Sequence, residues 1–299
     1  MTISWAEDYQ PVVYNLFMMG VDMVPSKIPA LYNVQTSNSA FEYFLGLEGT
    51  DIEGWNAYKD TGISAYADFD RGFPKTFQHV NYTRKFKLLQ DYIEDGALNN
   101  AAQMAIRGLG ISAAQKREQD AANTFIYSFT ASAPWLGPDG VALCSATHDY
   151  SASNGAHYDN TGTEAFSYTA LCSARDNLAG LADGVGNPLM RNGTLILHPI
   201  QLSKQVREVI GATGKPGTAN NDANAADDFT SLPWHFLTNS KDWWLLDPIW
   251  TKQSLYWFNR VNLYSEIVER ATTHVVYEFR MRYSWGFIDP RFLYGNDVT

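Results

Sequence analysis

Cys144 stands four residues before His148, and a thiol beside an imidazole is the minimum of a nucleophile–base pair. A working pair also needs a third group to orient the base, and closeness in sequence does not supply one. Cys144 follows Val141 and Leu143, an apolar run in which a cysteine is ordinarily buried and inert. His148, Asp149, His157 and Asp159 gather two imidazoles and two carboxylates in one short stretch. Their spacing matches neither zinc nor calcium ligand patterns, so a solvated loop is expected and no metal is assigned. Gly211-Ala212-Thr213-Gly214-Lys215-Pro216 has the outline of a phosphate loop. Such a loop needs Ser or Thr after its lysine and a glycine six residues before it; Pro216 and Val209 occupy those places. Glu94 and Asp95, like Asp227 and Asp228, read as helix-start and loop charges. Trp243 and Trp244 suit core or interface packing better than a sugar site. The residues therefore assign no catalytic group, cofactor or metal, and the expectation is a protein that is not an enzyme. A cysteine hydrolase built on Cys144 and His148 stands as the rival reading, with a β-rich binding module third.

Composition points the same way. The 299 residues are 45% hydrophobic, enough for a sizeable core in one large or two interleaved domains. Aromatic content is high, with 9 Trp, 17 Tyr and 16 Phe, side chains that fill cores and are favoured at subunit contacts. The formal net charge of −10 and the lack of a basic run argue against sequence-specific nucleic-acid binding. Cys144 and Cys172 do not make a disulfide framework, which fits a reducing compartment. The first residues lack the pattern of a signal peptide, and no run approaches the ~20 apolar residues of a membrane helix. A soluble cytoplasmic product is expected.

Positions 91 to 129 organise the rest. Leu98, Ala102, Ile106, Leu109, Ala113, Ala121 and Phe125 recur at helical spacing and predict one long helix with a single packed face. The cluster Gln115-Lys116-Arg117-Glu118 is assigned to its other face, although Arg117 falls in the apolar stripe. Gly108 and Gly110 predict a bend, since each costs about 1 kcal/mol relative to Ala. Upstream, residues 1 to about 35 have no clear period, and 21–32, with two prolines, read as an extended arm. Val80, Tyr82, Phe86 and Leu88 alternate with polar residues and predict a strand. With the turn-rich segment before it, this predicts a long hairpin whose tip, near 68–74, exposes Phe69 and Phe73. Aromatics at an exposed tip imply a partner surface.

Downstream, 149–164 reads as a loop, 167–180 and 202–210 as helices, and 194–197 as a buried strand. Residues 234–237 and 243–248 read as two strands around a turn at 240–242. The alternation from Val275 to Phe287 is the clearest strand. Two long β stretches flanking the helix suggest a sheet laid along it, with about 168–250 as a mixed α/β insertion.

In this order, several phrases resemble tailed-bacteriophage major capsid proteins of the Hong Kong 97-type fold, and most of all the Mu-like major head subunits. Gly137-Pro138-Asp139-Gly140-Val141-Ala142-Leu143-Cys144-Ser145-Ala146-Thr147-His148 is similar to a Asp-Gly…Leu-Phe…His phrase of those heads, with Cys144 in place of the aromatic. Thr194–Leu202 resembles their strand, proline and helix, Asp242–Asp247 their Asp-Trp-x-Leu strand, and Arg282–Arg291 their closing strand. The resemblance implies an α+β fold in five pieces: an N-terminal arm (1–38), an extended-loop hairpin with flanks (39–90), a peripheral domain with a spine helix (91–167), an axial domain (168–250), and a C-terminal return to the peripheral domain (251–299). It implies a structural subunit that closes with its copies, as pentamers and hexamers, into an icosahedral shell. Packaged double-stranded DNA is enclosed without sequence-specific binding, and the virion is built in the host cytoplasm without a membrane. Scaffolding, portal and decoration proteins are the implied partners. Phe69, Arg71, Phe73 and Lys75 are the implied subunit-contact residues. Lys59 and Lys75 flank the hairpin, yet no acceptor or catalyst for a covalent crosslink is in view, and none is expected. An encapsulin-like protein compartment is the nearest alternative with the same fold.

Overall fold

A computed structural model of the chain describes residues 5–48, 70–91, 100–151, 154–216, 222–226, 228–271 and 273–299. Helix α1 (Trp5–Asp22) and the short α2 (Ile28–Leu31) come first, followed by strands β1 (Asn33–Thr36), β2 (Phe41–Glu48), β3 (Asp70–Gln78) and β4 (Val80–Leu89). The long helix α3 (Asn100–Ile126) leads to β5 (His148–Ser151), β6 (Asn154–Tyr158) and β7 (Thr161–Gly162). Then come α4 (Tyr168–Ala179), β8 (Leu195–Pro199), α5 (Ser203–Ile210), β9 (Thr230–Trp234), β10 (Trp243–Leu246) and α6 (Pro248–Ser254). Two long strands, β11 (Leu255–Arg270) and β12 (His274–Phe287), and the short β13 (Leu293–Asn296) close the chain. Among the described residues no helix is long and apolar enough to cross a membrane.

Two sheets carry the architecture. The first has the order β1-β11-β12-β4 and lies along α3, as the flanking β stretches predict. The second has the order β7-β13-β10-β8-β9 and is packed with α4 and α5. The mixture is α+β, as expected. β13 pairs with β10, so the last strand of the tail joins the second sheet rather than returning to the first. β9 and β10 do not form a hairpin: both pair with β8, one parallel and one antiparallel, because a turn within 235–242 carries the chain across rather than back. The segment 149–164 is not a loop; β5 and β6 make a small hairpin within it.

Three further expectations are corrected. Residues 5–22 are helical. Val13, Leu16 and Phe17 form its buried stripe, and Phe17 stacks on Phe279 with centroids 4.2 Å apart. The hairpin tip is not at 70–74: β3 pairs antiparallel with β2, from Glu48↔Asp70 to Phe41↔Gln78, and 49–69 lie outside the described residues. β4 is not the return strand of that ribbon but an edge of the first sheet, paired with β12. Finally, α3 runs unbroken through both glycines. A Cβ on Gly110 would come within 2.1 Å of the Phe17 carbonyl oxygen, and one on Gly20 within 2.1 Å of the Arg107 carbonyl oxygen. The two glycines let α1 and α3 cross backbone against backbone. Nothing lies within 4 Å of a Cβ on Gly108.

Candidate functional site: the ribbon base and the spine network

Cys144 and His148 are each tied to other groups. Cys144 is buried, its backbone N–H donates to the Ser128 carbonyl (2.7 Å), and burial pushes its thiol well above the usual range. His148 is fully buried and stacks on Tyr158. Its Nδ1 lies 2.5 Å from Asp139 Oδ2 and its Nε2 lies 3.2 Å from the Leu143 carbonyl oxygen. Both ring nitrogens are thus committed to oxygen acceptors, which leaves no base for the thiol and overturns the cysteine-hydrolase reading. Iodoacetamide at pH 7 is expected to leave Cys144 unmodified in the native protein and to alkylate it only after denaturation, as read by peptide mass. Rapid native alkylation would restore the nucleophile.

The other clusters disperse as well. Asp149 and His157 pair across the β5–β6 hairpin (2.6 Å), while Asp159 accepts from the Thr161 N–H (2.8 Å). Among the described residues no group of His, Cys, Asp or Glu is placed to hold a metal ion. Gly211 ends α5, and Lys215 lies over the Tyr168 ring, 5.4 Å from its centroid. Asp228 pairs with Arg175; Asp227, Glu94, Asp95 and Lys59 lie outside the described residues.

The β2–β3 ribbon is the feature left without an internal purpose. Phe69 lies outside the described residues, and Arg71 occupies β3 opposite Leu47. Phe73 and Lys75 are half-buried and line a cavity of about 270 Å³ with Phe44, Asp139 and Arg291. Lys75 Nζ donates to the Leu136 carbonyl (2.6 Å) and sits over the Phe287 ring. Burial draws the Lys75 pKa down, against the opposing pull of Asp139. Both side chains serve the ribbon's own seat. The bare apolar face is on β2 instead, where Phe41, Tyr43 and Leu45 are 55%, 53% and 44% exposed. Phe44, between them, turns inward onto Phe77, Tyr256 and Phe258. The period-two signal was present in 41–45, but an inward Phe amid outward apolar residues conceals which face is which.

The second missed feature is on α3. Its charged cluster is not a solvated face: Glu118 and Asp120 are each 2% exposed. Glu118 accepts from Ser26 Oγ (2.6 Å), from the Lys27 N–H (3.2 and 3.1 Å to its two oxygens) and from Trp234 Nε1 (3.1 Å). One carboxylate thereby fastens the segment entering α2, the long helix and the end of β9. Asp120 accepts from Lys116 Nζ (2.5 Å) and from the Tyr283 hydroxyl (2.8 Å), which ties the helix to β12. Burial, and then Asp120, push the Tyr82 hydroxyl up to about 12. Arg117, out of place in the stripe, lies over the Trp257 ring and donates to Asn259 Oδ1 (3.2 Å).

This framework of long helix, ribbon and two sheets has known counterparts. The structure is similar to a virus-like particle subunit from Pyrococcus furiosus (TM-score 0.58, 8% identity, covering 97% of this chain and 99% of that one). It is also similar to the capsid protein of Cyanophage P-SCSP1u (TM-score 0.58, 11% identity, 91% and 88% covered). The capsid of an empty GTA particle matches too (TM-score 0.56, 12% identity, 92% of this chain and 91% of that one). At these identities the likeness shows the fold, which is the Hong Kong 97 type. The comparisons do not single out the Mu-like heads, and no curated protein matches the sequence. The family model for phage capsid protein matches residues 72–296, more than half the chain. That span takes in the long helix, both sheets apart from β1, and all of β3 beyond its first two residues, and on it the chain belongs to the phage capsid protein family.

Proposed function

We propose that the protein is the major head subunit of a tailed phage, closing as pentamers and hexamers into an icosahedral shell around packaged double-stranded DNA. The observation that carries this reading, within the family, is the β2 face of the ribbon. Phe41, Tyr43 and Leu45 form an alternating apolar row that the subunit leaves bare, and such a row is costly unless another surface covers it. In this reading the ribbon and its end, with Phe69 and Arg71, are the extended loop over a neighbouring copy. Residues 1–38 are the arm, α3 with the first sheet the peripheral domain, and the second sheet with α4 and α5 the axial domain. Scaffolding and portal proteins would act in assembly in the host cytoplasm, and decoration proteins on the finished virion. The acidic chain encloses DNA without gripping it.

Negative-stain microscopy of the expressed protein, with its scaffold where needed, tests the reading. Closed shells are expected, and only small oligomers under all conditions would sink it. Replacing Phe41, Tyr43 and Leu45 together by serine is expected to shift the subunit's stability by no more than about 0.5 kcal/mol per site, since the positions are exposed. The same variant is expected to lose closed shells. Normal shells from it would remove the ribbon face from the interface.

One observation favours an encapsulin-like compartment as a second reading. An apolar groove of about 550 Å³ lies between α3 and β4 and is walled by Phe17 of α1, with Phe86, Leu109 and Phe279. A groove formed with the N-terminal region is what an enclosed protein's peptide would need. Nuclease-resistant DNA in purified particles decides for the phage head; protein-filled particles without DNA decide for the compartment.

A further inference from the structure

The two strands of the ribbon leave the first sheet at one level. β1 ends at Thr36 and β2 begins at Phe41, while His79 alone separates β3 from β4. His79 is only 5% exposed. Its Nε2 lies 3.2 Å from Ser37 Oγ, just past the end of β1, and its Nδ1 lies 2.9 Å from Ser284 Oγ on β12. Ser37 Oγ donates its own hydrogen to Glu42 Oε1. Its oxygen must then accept from His79 Nε2–H, which leaves Nδ1 to accept from the Ser284 hydroxyl. One neutral tautomer satisfies the whole chain of bonds. The charged groups around the ring are Glu42 on β2, Arg260 on β11 and Arg282 on β12. Among the described residues the Nε atoms of both arginines are buried without a hydrogen-bond partner.

We propose that His79 is a proton-sensitive latch that holds the β2–β3 ribbon to its own subunit while neutral and releases it when protonated. A second proton on the ring would place a buried cation beside two half-buried guanidiniums, with one carboxylate to offset all three. It would also put an N–H where Nδ1 now accepts from Ser284. Consistently, burial first and Arg282 next lower the His79 pKa in the seated ribbon, against Glu42. The sign follows: the group's seated pKa lies below the ordinary value near 6.5, so its contribution is complete above that value and is lost as pH falls toward the seated pKa. In that window the released population rises by up to about tenfold per pH unit. The latch concerns the ribbon's seat on its own chain, so it stands or falls independently of shell formation.

Hydrogen exchange of the full-length protein between pH 7.5 and 5, corrected for intrinsic exchange, reads the latch at the amides of 41–48 and 70–78. The exchange-competent fraction of the ribbon is expected to rise on acidification by the factor above, while α3 stays protected. His79→Gln, which keeps a donor and an acceptor but cannot titrate, is expected to abolish the rise. An equal rise in His79→Gln, or no rise in the unaltered protein, overturns the proposal. Should the variant fail to fold, nitrogen NMR of the unaltered protein decides: a His79 that titrates at or above the ordinary value overturns it.

Discussion

Replacing Glu118 with alanine is expected to lower the subunit's stability by at least about 3 kcal/mol, through the donors it leaves behind. Ser26 Oγ, the Lys27 N–H and the Trp234 indole all lose one shared acceptor. Each hydrogen bond to a charged group is worth about 1.5–3 kcal/mol, and a buried donor left alone bears its full desolvation cost. Against a typical total of about 5–15 kcal/mol, that is a large fraction. For a chain of this length the melting temperature should fall by several degrees, at roughly 2 °C per kcal/mol. Glu118→Gln keeps one acceptor oxygen but turns an amide N–H₂ toward other donors, and should fall between the alanine variant and the unaltered protein. Calorimetry of the three proteins is the check. A melting temperature unmoved in Glu118→Ala would mean that water replaces the carboxylate and that the junction of arm, helix and second sheet is held by apolar packing alone.

The two glycines of the long helix are expected to respond in opposite directions. Gly108→Ala meets open space and gains helix propensity, so it should stabilise by up to about 1 kcal/mol. Gly110→Ala gains the same propensity but drives its Cβ into the Phe17 carbonyl, and the atom in the way is backbone, which cannot swing aside. Helix α1 must move outward, with Phe17 and its stack on Phe279, and overpacking of this kind costs about 1–3 kcal/mol. Denaturant midpoints of the two single variants measure the pair. Equal shifts would mean that the crossing of α1 over α3 does not constrain the helix in solution.

These two predictions mark where sequence reasoning succeeded and where it stopped. The long helix was legible because Ala102, Ile106, Ala121 and Phe125 keep a helical period and all are buried. So were β12, whose alternation is nearly perfect, and α4, whose Ser167 side chain caps the Ala170 N–H. What failed did so for physical reasons. The partner of β12, the still longer β11, was passed over because its register shifts near Asn259, Val261 and Ile267 break the period of two. Helix α1 was missed because Pro11 and Gly20 interrupt its stripe; Gly20 is there for the approach to α3, which no local pattern can reveal. Glu118 and Asp120 looked solvated because charge is the usual mark of a surface, and the donors to Glu118 and the Tyr283 hydroxyl on Asp120 come from far away in the chain. For the ribbon, the outward row of Phe41, Tyr43 and Leu45 was in plain sight, but only the inward contacts of Phe44 tell which side is bare.

The strand order of the first sheet has a consequence for biosynthesis. β1 pairs in parallel with β11, from Asn33↔Tyr256, and β4 pairs with β12, from Leu89↔His274, so both N-terminal strands wait on partners roughly 200 residues downstream. At ribosomal speeds of about 5–20 residues per second, that delay is on the order of 10–40 s. During it, the chain carries unpaired edges and a spine helix packed on α1 but without its sheet, an arrangement of high contact order that folds slowly. The Ser284 that holds His79 also arrives only with β12. A nascent chain therefore cannot seat its ribbon until synthesis is nearly complete.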